Sequence, residues 1–343
     1  MALSDSDAAA QRIARWEQWL ALGREPAIDP AQAIVDPHHH LWDRAGHTYL
    51  PAQWAAEVRD SGHRLLSSVF VECLWQYLES GPEHLRPVGE TAHVAALAKA
   101  HDQTGPRCIA AGIVARADLA LGTAVEEVLA AHALQAGGRL RGIRYSSAHD
   151  GDPAIHSAYP SRPGMLRESA VQAGAAQLAS HGLALDVWVY FHQLGDVLAL
   201  ARACPGLNIV IDHAGGLLGL GGYAGQRAAV FERWRALLQP LGEQPNVVIK
   251  FGGLAMPLAG YEWRKQPRPP DSQTLAAAWQ PYWDACLDLF GPGRCMFESN
   301  FPVDRSGCSY GALWNAFKRL AAPLSPTERQ QVLAGTAQRV YRL

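Results

Sequence analysis

The chain has 343 residues, 48% hydrophobic and 18% charged, which is enough apolar material for a large core and excludes a disordered or fibrous chain. Its 30 Lys and Arg against 32 Asp and Glu leave a formal charge of −2, which argues against nucleic acid as a partner. No run approaches the roughly 18 apolar residues of a membrane span. The polar, acidic start lacks a signal-peptide pattern, so we expect a cytoplasmic protein.

Six cysteines are spread along the chain at irregular, wide spacings, without any C-x-x-C pair. In a chain of this length that spacing argues against both a zinc–cysteine cluster and a disulfide framework. We therefore expect reduced thiols that are mostly buried.

Short apolar runs rich in Val and Ile recur about eight times, each opening after a turn signal and followed by a longer helix-like segment. They predict strands over residues 33–36, 65–73, 108–114, 140–145, 183–190, 208–212, 246–251 and 294–298. Predicted helices between them include 83–101, 118–135, 165–181, 226–241 and 272–290. Apolar strands that alternate with helices indicate an α/β fold with a parallel sheet covered on both faces.

The end of the first predicted strand distinguishes between two such folds. A doubly wound open sheet usually has a Gly-rich phosphate loop at this point, whereas this strand runs into Pro37 and three histidines. This favours a closed (β/α)8 barrel, the TIM barrel, over residues 33–343 as one domain.

Two segments lie outside the repeating units. We expect residues 1–32 to form an N-terminal helical extension. Within it, residues 6–22 have the spacing of an amphipathic helix, which we expect to cap the barrel bottom or to meet another subunit. The Gly- and Pro-rich residues 252–271 after the seventh strand are too long for an ordinary loop and are typical of a lid.

Histidines lie at the carboxyl ends of the first and fifth predicted strands, the end of a barrel where active sites form. His38 and His40 are two apart, so their side chains point the same way while His39 points elsewhere. Two such imidazoles can chelate a divalent ion such as Zn²⁺, or they can bond to loops. His192 is the natural third nitrogen of a metal site, or a loop histidine with its own partner.

Other strand ends supply further candidates. Glu72 ends the second strand, and a buried carboxylate there is either paired or employed. Arg144 on the fourth strand suits a carboxylate or an oxyanion, with an ion pair to Glu72 as its structural alternative. His213 follows the sixth strand and could bind metal, substrate or a neighbouring loop. With Arg144 and His213, we include Tyr145 and Trp42 in the predicted substrate-binding set.

The eighth strand runs into F-E-S-N-F-P-V-D. Asn300 occupies the position of the last polar group of a barrel hydrolase, yet an amide cannot accept a proton at neutral pH. Asp304 follows four residues later and could swing in from the loop. Glu298 lies inside the strand and could be a buried partner of a base such as Lys250. Asp36, before the histidines, is a candidate to support the ligands rather than to bind metal itself.

With D-x-H-x-H on strand one, a histidine after strand five, D-H-x-G-G on strand six and F-E-S-N-F-P on strand eight, the sequence resembles the amidohydrolase superfamily. It is most similar to the amidohydrolase-related, lactonase-like branch of predicted metal-dependent TIM-barrel hydrolases, with its fuconolactonase-like and pyrone-dicarboxylate lactonase-like members. The resemblance runs from about Ile34 to the C-terminus, where G-T-A-Q-R-V-Y is similar to the closing helix of the family.

The resemblance implies a role for several positions. His38 and His40 match the first metal ligands of the family, and His192 matches its strand-five histidine. Arg144 matches a substrate-facing position on strand four, and His213 matches the strand-six histidine. The departure is Asn300, which occupies the position of the strand-eight aspartate that serves as metal ligand and proton acceptor.

These features predict a hydrolase that opens a small carboxylated lactone, with water attack assisted by the histidines and by a divalent metal, for which we expect zinc. The predicted catalytic residues are His192, Asn300, Asp304 and Glu72, and the predicted metal ligands are His38, His40 and His192. The alternatives are a metal-dependent decarboxylase of an aromatic or unsaturated acid and a degenerate barrel that only binds a ligand. The expected partner is a small-molecule substrate, without nucleic acid or membrane, in a chain that could form a homo-oligomer.

Overall fold

The computed structural model describes residues 5–44, 47–103 and 108–343, with side chains from residue 11 onward. Eight parallel strands follow one another around a nearly closed barrel in chain order, as predicted, and an isolated bridge between His39 and Phe301 brings the eighth strand back to the first. The strands are β1 Ala33–His39, β2 Arg64–Val71, β3 Gly112–Arg116, β4 Leu140–Ser146, β5 Ala184–Trp188, β6 Ile209–Ile211, β7 Val247–Phe251 and β8 Cys295–Phe297. The fold is a (β/α)8 TIM barrel.

Helices connect and flank the strands. They are α1 Asp5–Ala21, α2 Pro51–Ser61, α3 Val88–Asp102, α4 Val125–Gln135, α5 Ser169–Ser180, α6 Leu194–Ala203, α7 Arg227–Gly242, α8 Ser272–Phe290, α9 Tyr310–Ala321, α10 Pro326–Gln330 and α11 Thr336–Tyr341. A short hairpin pairs Trp42–Arg44 with His47–Tyr49. None of the helices within the described ranges is long and apolar enough to cross a membrane.

Local sequence accounts for several boundaries. The helix predicted over 83–101 begins only at Val88, because Pro87 stands at its N-terminal boundary and the preceding residues form a short 3-10 turn. The side chain of Asp271 accepts a hydrogen bond from the Thr274 amide and caps α8. The third strand starts later than predicted, since Ala110 has a left-handed backbone (φ 44°), and it continues to Arg116.

The barrel interior is filled by aliphatic side chains that alternate along the strands with those packed under the helices. The interior cluster also includes side chains of α11, among them Tyr341. Leu343 lies close to Gly112, the first residue of β3, so the C-terminal segment lies at the amino end of the barrel. The inward-facing aliphatic residues of the strands are Val35, Val69, Val71, Val114, Ala184, Val210, Val248 and Met296.

The N-terminal helix lies at the opposite end. Glu17 forms an ion pair with Arg305, 2.8 Å away, and the Trp19 indole donates a hydrogen bond to the Gln266 carbonyl. Both partners belong to loops that follow β7 and β8. The expectation that α1 caps the barrel bottom is therefore wrong, since α11 lies there. The segment after β7 is a long loop as predicted, with two short 3-10 turns.

Candidate active site

The first strand delivers two histidines to the barrel interior. The register between β1 and β2 is irregular between Asp36 and His39, and beyond this irregularity His38 and His40 lie together, with ring centroids 5.0 Å apart. His39 points away, as alternation predicts: its Nε2 lies 3.0 Å from the Ser68 hydroxyl. Asp36 joins β1 to the segment after β8, because it accepts hydrogen bonds from the backbone amide and the hydroxyl of Ser299.

A buried cluster of histidines and carboxylates fills the carboxyl end of the barrel; we call it the histidine–carboxylate cluster and define it as His38, His213, Glu298, Asp212 and Lys250. Glu298 lies at its centre, with Oε2 2.8 Å from Nδ1 of His38 and Oε1 2.7 Å from Nδ1 of His213. The backbone amide of His213 also donates to Glu298 Oε1. One carboxylate therefore orients both imidazoles.

Lys250 lies within the cluster as a fully buried cation. Its Nζ is 2.6 Å from Asp186, 3.2 Å from Asp212 and 3.2 Å from Nδ1 of His38, while the Tyr341 hydroxyl donates to Asp186. Burial lowers the pKa of Lys250, but attraction to the two aspartates outweighs it and leaves the pKa above its usual value. The anticipated partnership of Glu298 with Lys250 thus gives way to one with the two histidines.

Burial and charge set the protonation of the cluster. Burial lowers the pKa of His38, and the neighbouring Lys250 lowers it further. Burial also disfavours a charge on His213, but the adjacent Glu298 raises its pKa above the ordinary value. Burial raises the pKa of Glu298, yet its attraction to the two histidines holds the net value well below normal. Burial and charge therefore favour the ionised form of Glu298, the neutral form of His38 and the charged form of His213.

One residue of the cluster, His213, and one residue outside it, Asn300, have strained backbones. His213 and Asn300 both have φ of 54°, in the left-handed region that non-glycine residues seldom occupy. A Cβ on Gly253 would lie 2.6 Å from the His213 side chain, and one on Gly252 would lie 2.3 Å from the Glu298 carbonyl oxygen. The glycine pair after β7 therefore makes the room in which His213 and Glu298 meet.

The turn after β8 carries Asn300 and Asp304 into the site. The Asn300 amide lies between His40 and Asp304, with Oδ1 3.2 Å from His40 Nε2 and Nδ2 3.2 Å from Asp304 Oδ1. The other oxygen of Asp304 is buried and has no hydrogen-bond partner among the described residues. Burial raises the pKa of Asp304 to about 7, partly offset by His213. Asp304 thus swings in from the loop, and Asn300 orients it.

The structure does not bring His192 to His38 and His40. His192 lies beyond β5 in the turn Phe191–Gln193, where its Nε2 is 2.9 Å from Asp150 and its ring is stacked on Tyr223. The inward position at the end of β5 is instead Trp188, whose ring centroid lies 4.7 Å from that of His213.

Glu72 and Arg144 form the ion pair that was the structural alternative. Arg144 Nε donates to Glu72 at 2.8 Å, and its Nη2 donates to the Glu72 carbonyl and to the Tyr159 hydroxyl. Tyr145, the next residue, packs in the outer hydrophobic layer, because adjacent strand residues face opposite ways. Trp42 lies at the rim, with its ring stacked 6.0 Å from that of His40.

The cluster contains a donor set that fits a metal ion. One nitrogen or oxygen atom from each of His38, His213 and Glu298 lies within 4.8 Å of the other two, and His38 Nε2 is buried without a hydrogen-bond partner. Two imidazoles and a carboxylate suit Zn²⁺ or a similar divalent ion. Of the three predicted ligands only His38 belongs to this group; the sequence signals for the others were the D-H pair after strand six and the acid within strand eight.

Comparison with known proteins agrees with this architecture. A family model described as amidohydrolase matches residues 35–343. An uncharacterized protein of Sinorhizobium fredii is 30% identical over 324 residues, covering 91% of this chain and 99% of the relative. An L-fucono-1,5-lactonase of Burkholderia multivorans is 32% identical over 208 residues, covering 60% of this chain and 64% of the lactonase.

A solved structure extends the likeness to the whole barrel. The crystal structure of an amidohydrolase from Burkholderia multivorans with bound zinc is 27% identical, with a TM-score of 0.69, and covers 91% of this chain and 99% of that one. The barrel and its histidine–carboxylate cluster define a hydrolase of the amidohydrolase class. The chain belongs to the amidohydrolase family.

Proposed function

We propose that the protein hydrolyses a lactone, the cyclic ester of a small hydroxy acid. The observation that carries this proposal is the Asp304 carboxylate, which has one buried oxygen without a partner among the described residues and lies close to His213, whose pKa Glu298 raises despite burial. A carboxylate in that state is suited to take a proton from water. The partial likeness to L-fucono-1,5-lactonases supports the choice of a lactone among the substrates of amidohydrolases.

The proposed reaction uses residues of this chain for each proton and charge. Asp304 takes a proton from the attacking water as the water oxygen bonds to the lactone carbonyl carbon. In the metal-free protein, His213 in its charged form stabilises the resulting oxyanion. When the ring C–O bond breaks, protonated Asp304 returns its proton to the leaving alkoxide, so the product is an open hydroxy acid.

Asn300 and Glu298 position Asp304 and His213. Asn300 holds Asp304 through its amide, and Glu298 fixes the orientation of His213. We propose that His38, His213 and Glu298 can also hold a zinc ion once His213 has lost its proton. When bound, the ion would supply Lewis-acid polarisation of the carbonyl in place of the charge on His213. Glu72, paired with Arg144, and His192, paired with Asp150, are left out of the proton transfers.

The test is a panel of five- and six-membered lactones, assayed by proton release with and without added Zn²⁺ or Mn²⁺. Opening of at least one lactone by the wild type, and its loss in Asp304→Asn, is the expected result. Absence of ring opening across the panel would contradict the proposal. Release of carbon dioxide from aromatic acids without any ester hydrolysis would select the decarboxylase instead.

A further inference from the structure

Two arginines lie side by side at the carboxyl ends of β3 and β4. Arg116 and Arg144 are paired in the register of the two strands. Both guanidinium groups lie over the ring of Tyr159, at 4.7 Å for Arg116 and 5.4 Å for Arg144. The neighbouring strands therefore place two cations against a single aromatic ring.

The two arginines differ in their partners. Arg144 donates hydrogen bonds to the Glu72 carboxylate, the Glu72 carbonyl and the Tyr159 hydroxyl. Arg116 has no such partner: across residues 5–44, 47–103 and 108–343, no carboxylate lies within ion-pair distance of it, and its Nη1 is buried without a hydrogen bond. A buried donor that lacks a partner costs stability, so it calls for an acceptor that the chain itself does not supply.

The segments on either side of β3 each contribute a buried hydroxyl in the same condition. The Tyr77 hydroxyl is buried and without a hydrogen-bond partner among the described residues. It lies within electrostatic range of Glu72 and Glu90 as well as of Arg116 and Tyr159, and Glu72 is itself paired with Arg144. The Ser146 hydroxyl is also buried and unpartnered, at the next inward position of β4 after Arg144. A guanidinium with hydroxyl donors is an arrangement that suits a planar carboxylate.

We call this group the arginine–tyrosine rim and define it as Arg116, Tyr77, Tyr159 and Ser146. The rim is continuous with the histidine–carboxylate cluster. Ser146 is paired in register with Trp188 of β5. The Trp188 ring in turn contacts His213, with centroids 4.7 Å apart. A small ring bound at the cluster would therefore have the rim beside it.

We propose that Arg116, assisted by Tyr77 and Ser146, binds a carboxylate carried by the substrate, which makes the substrate a carboxylated lactone rather than a neutral sugar lactone. This inference rests on the proposed lactone hydrolysis. It transfers the role of carboxylate binder from Arg144 to Arg116. Arg144 becomes a positioning residue that fixes Glu72 and Tyr159.

The test uses ligands that the proposed reaction does not consume. Pyroglutamate is a lactam that carries a carboxylate, and pyroglutamamide is its neutral counterpart; the binding of each is measured by calorimetric titration. We expect wild-type protein to prefer pyroglutamate, and Arg116→Met to weaken its binding ~10–100-fold, as loss of a charged hydrogen bond does. Tyr77→Phe removes only a hydroxyl and should weaken it less. Arg59→Met, at an exposed position in α2, is the matched control.

Each outcome bears on the rim separately from the reaction. Equal binding of pyroglutamate by wild type and Arg116→Met overturns the proposal, as does absence of any preference for the carboxylate in the wild type. Equal weakening of both lactams assigns Arg116 a structural role and also overturns it. If pyroglutamate binding depends on Arg116 while no lactone is opened, the carboxylate site stands and the proposed hydrolysis fails.

Discussion

Two regions share the mouth of the barrel and have opposite electrostatic character. The histidine–carboxylate cluster, on β1, β6, β7 and β8, gathers Glu298 and Asp212 around two imidazoles, with Lys250 as their buried counter-charge. The arginine–tyrosine rim, on β3, β4 and nearby loops, contains a guanidinium without a carboxylate partner among the described residues. The histidine–carboxylate cluster therefore contains groups that can transfer protons, and the arginine–tyrosine rim contains a cation that can bind an anion.

This difference indicates how a substrate would lie. An anionic group placed in the cluster would meet its carboxylates, and like charges there are costly at low dielectric. The same group placed at the rim would supply the acceptor that Arg116 lacks. The reacting carbonyl would then lie toward Asp304 and the charged end toward β3, so the two regions together orient the ring.

The largest expected effect is loss of the proposed base. Asp304→Asn keeps the shape and the contact with Asn300 but removes the proton acceptor, so kcat/KM for a lactone substrate should fall by roughly 10³-fold. The matched variant is His192→Gln, which alters a histidine bound to Asp150 outside the cluster and should leave the rate nearly unchanged. Equal losses of kcat/KM in the two variants, measured in the same assay, would show that Asp304 has no special role as the base.

The next effect concerns the buried counter-charge. Lys250→Met leaves Asp186 and Asp212 without their cation, and breaking a buried ion pair on one side typically costs about 3–5 kcal/mol of unfolding free energy. Lys265→Met removes a cation from an exposed pair with Glu262 and should cost about 0–1 kcal/mol. Denaturant unfolding measures both, and similar losses would show that Lys250 does not hold the cluster together.

A third effect separates the metal donors from other acids. Glu298→Gln should lower zinc affinity by at least ~10-fold, because it removes the one carboxylate of the donor set. Glu262→Gln, at an exposed glutamate, provides the control. The readout is competition with a chelator of known affinity, independent of catalysis. Unchanged affinity in Glu298→Gln would place any zinc elsewhere.

The smallest expected effect is a pH dependence of stability caused by the buried Glu90. Burial and the nearby Glu72 raise the pKa of Glu90 to about 8, although its Oε1 accepts hydrogen bonds from the backbone amides of Cys73 and Trp75. A raised carboxyl pKa means that the folded state binds the proton more tightly than the unfolded state, so stability falls as pH rises from about 4.5 to about 8.

Glu90→Gln keeps the acceptor and removes this titration. The stability gap between variant and wild type should therefore widen as pH rises, in thermal unfolding followed across that range. Glu262→Gln, at an exposed position, is the control. A gap for Glu90→Gln that does not change with pH would mean that Glu90 stays ionised in the folded protein.

The pattern of the sequence predicts the barrel because each βα unit is a local feature. The orientation of His38 and His40 is local too, since it follows from alternation along one strand. Which groups meet across the barrel is not local: His38, His213 and Glu298 come from three strands, and their pairing depends on backbone geometry after β7 and β8.

Two particular residues show where sequence reasoning fails. His192 has the expected residue type after strand five, but a turn places it against Asp150 rather than in the cluster. The sequence pattern does not single out Arg116, because it predicts that the third strand ends at residue 114. In the structure the left-handed backbone of Ala110 delays the start of this strand, which continues to Arg116. Only the contacts of Arg144 show that one arginine is occupied and the other is not.

The most direct test of the central claim is lactone opening in isotopically labelled water, with wild-type protein and Asp304→Asn on the same lactone. The account predicts that the wild type releases the hydroxy acid with one labelled oxygen in its new carboxylate, and that the variant forms this product roughly 10³-fold more slowly. A wild type that opens no lactone, with or without zinc, or an Asp304→Asn variant as fast as the wild type, would contradict it.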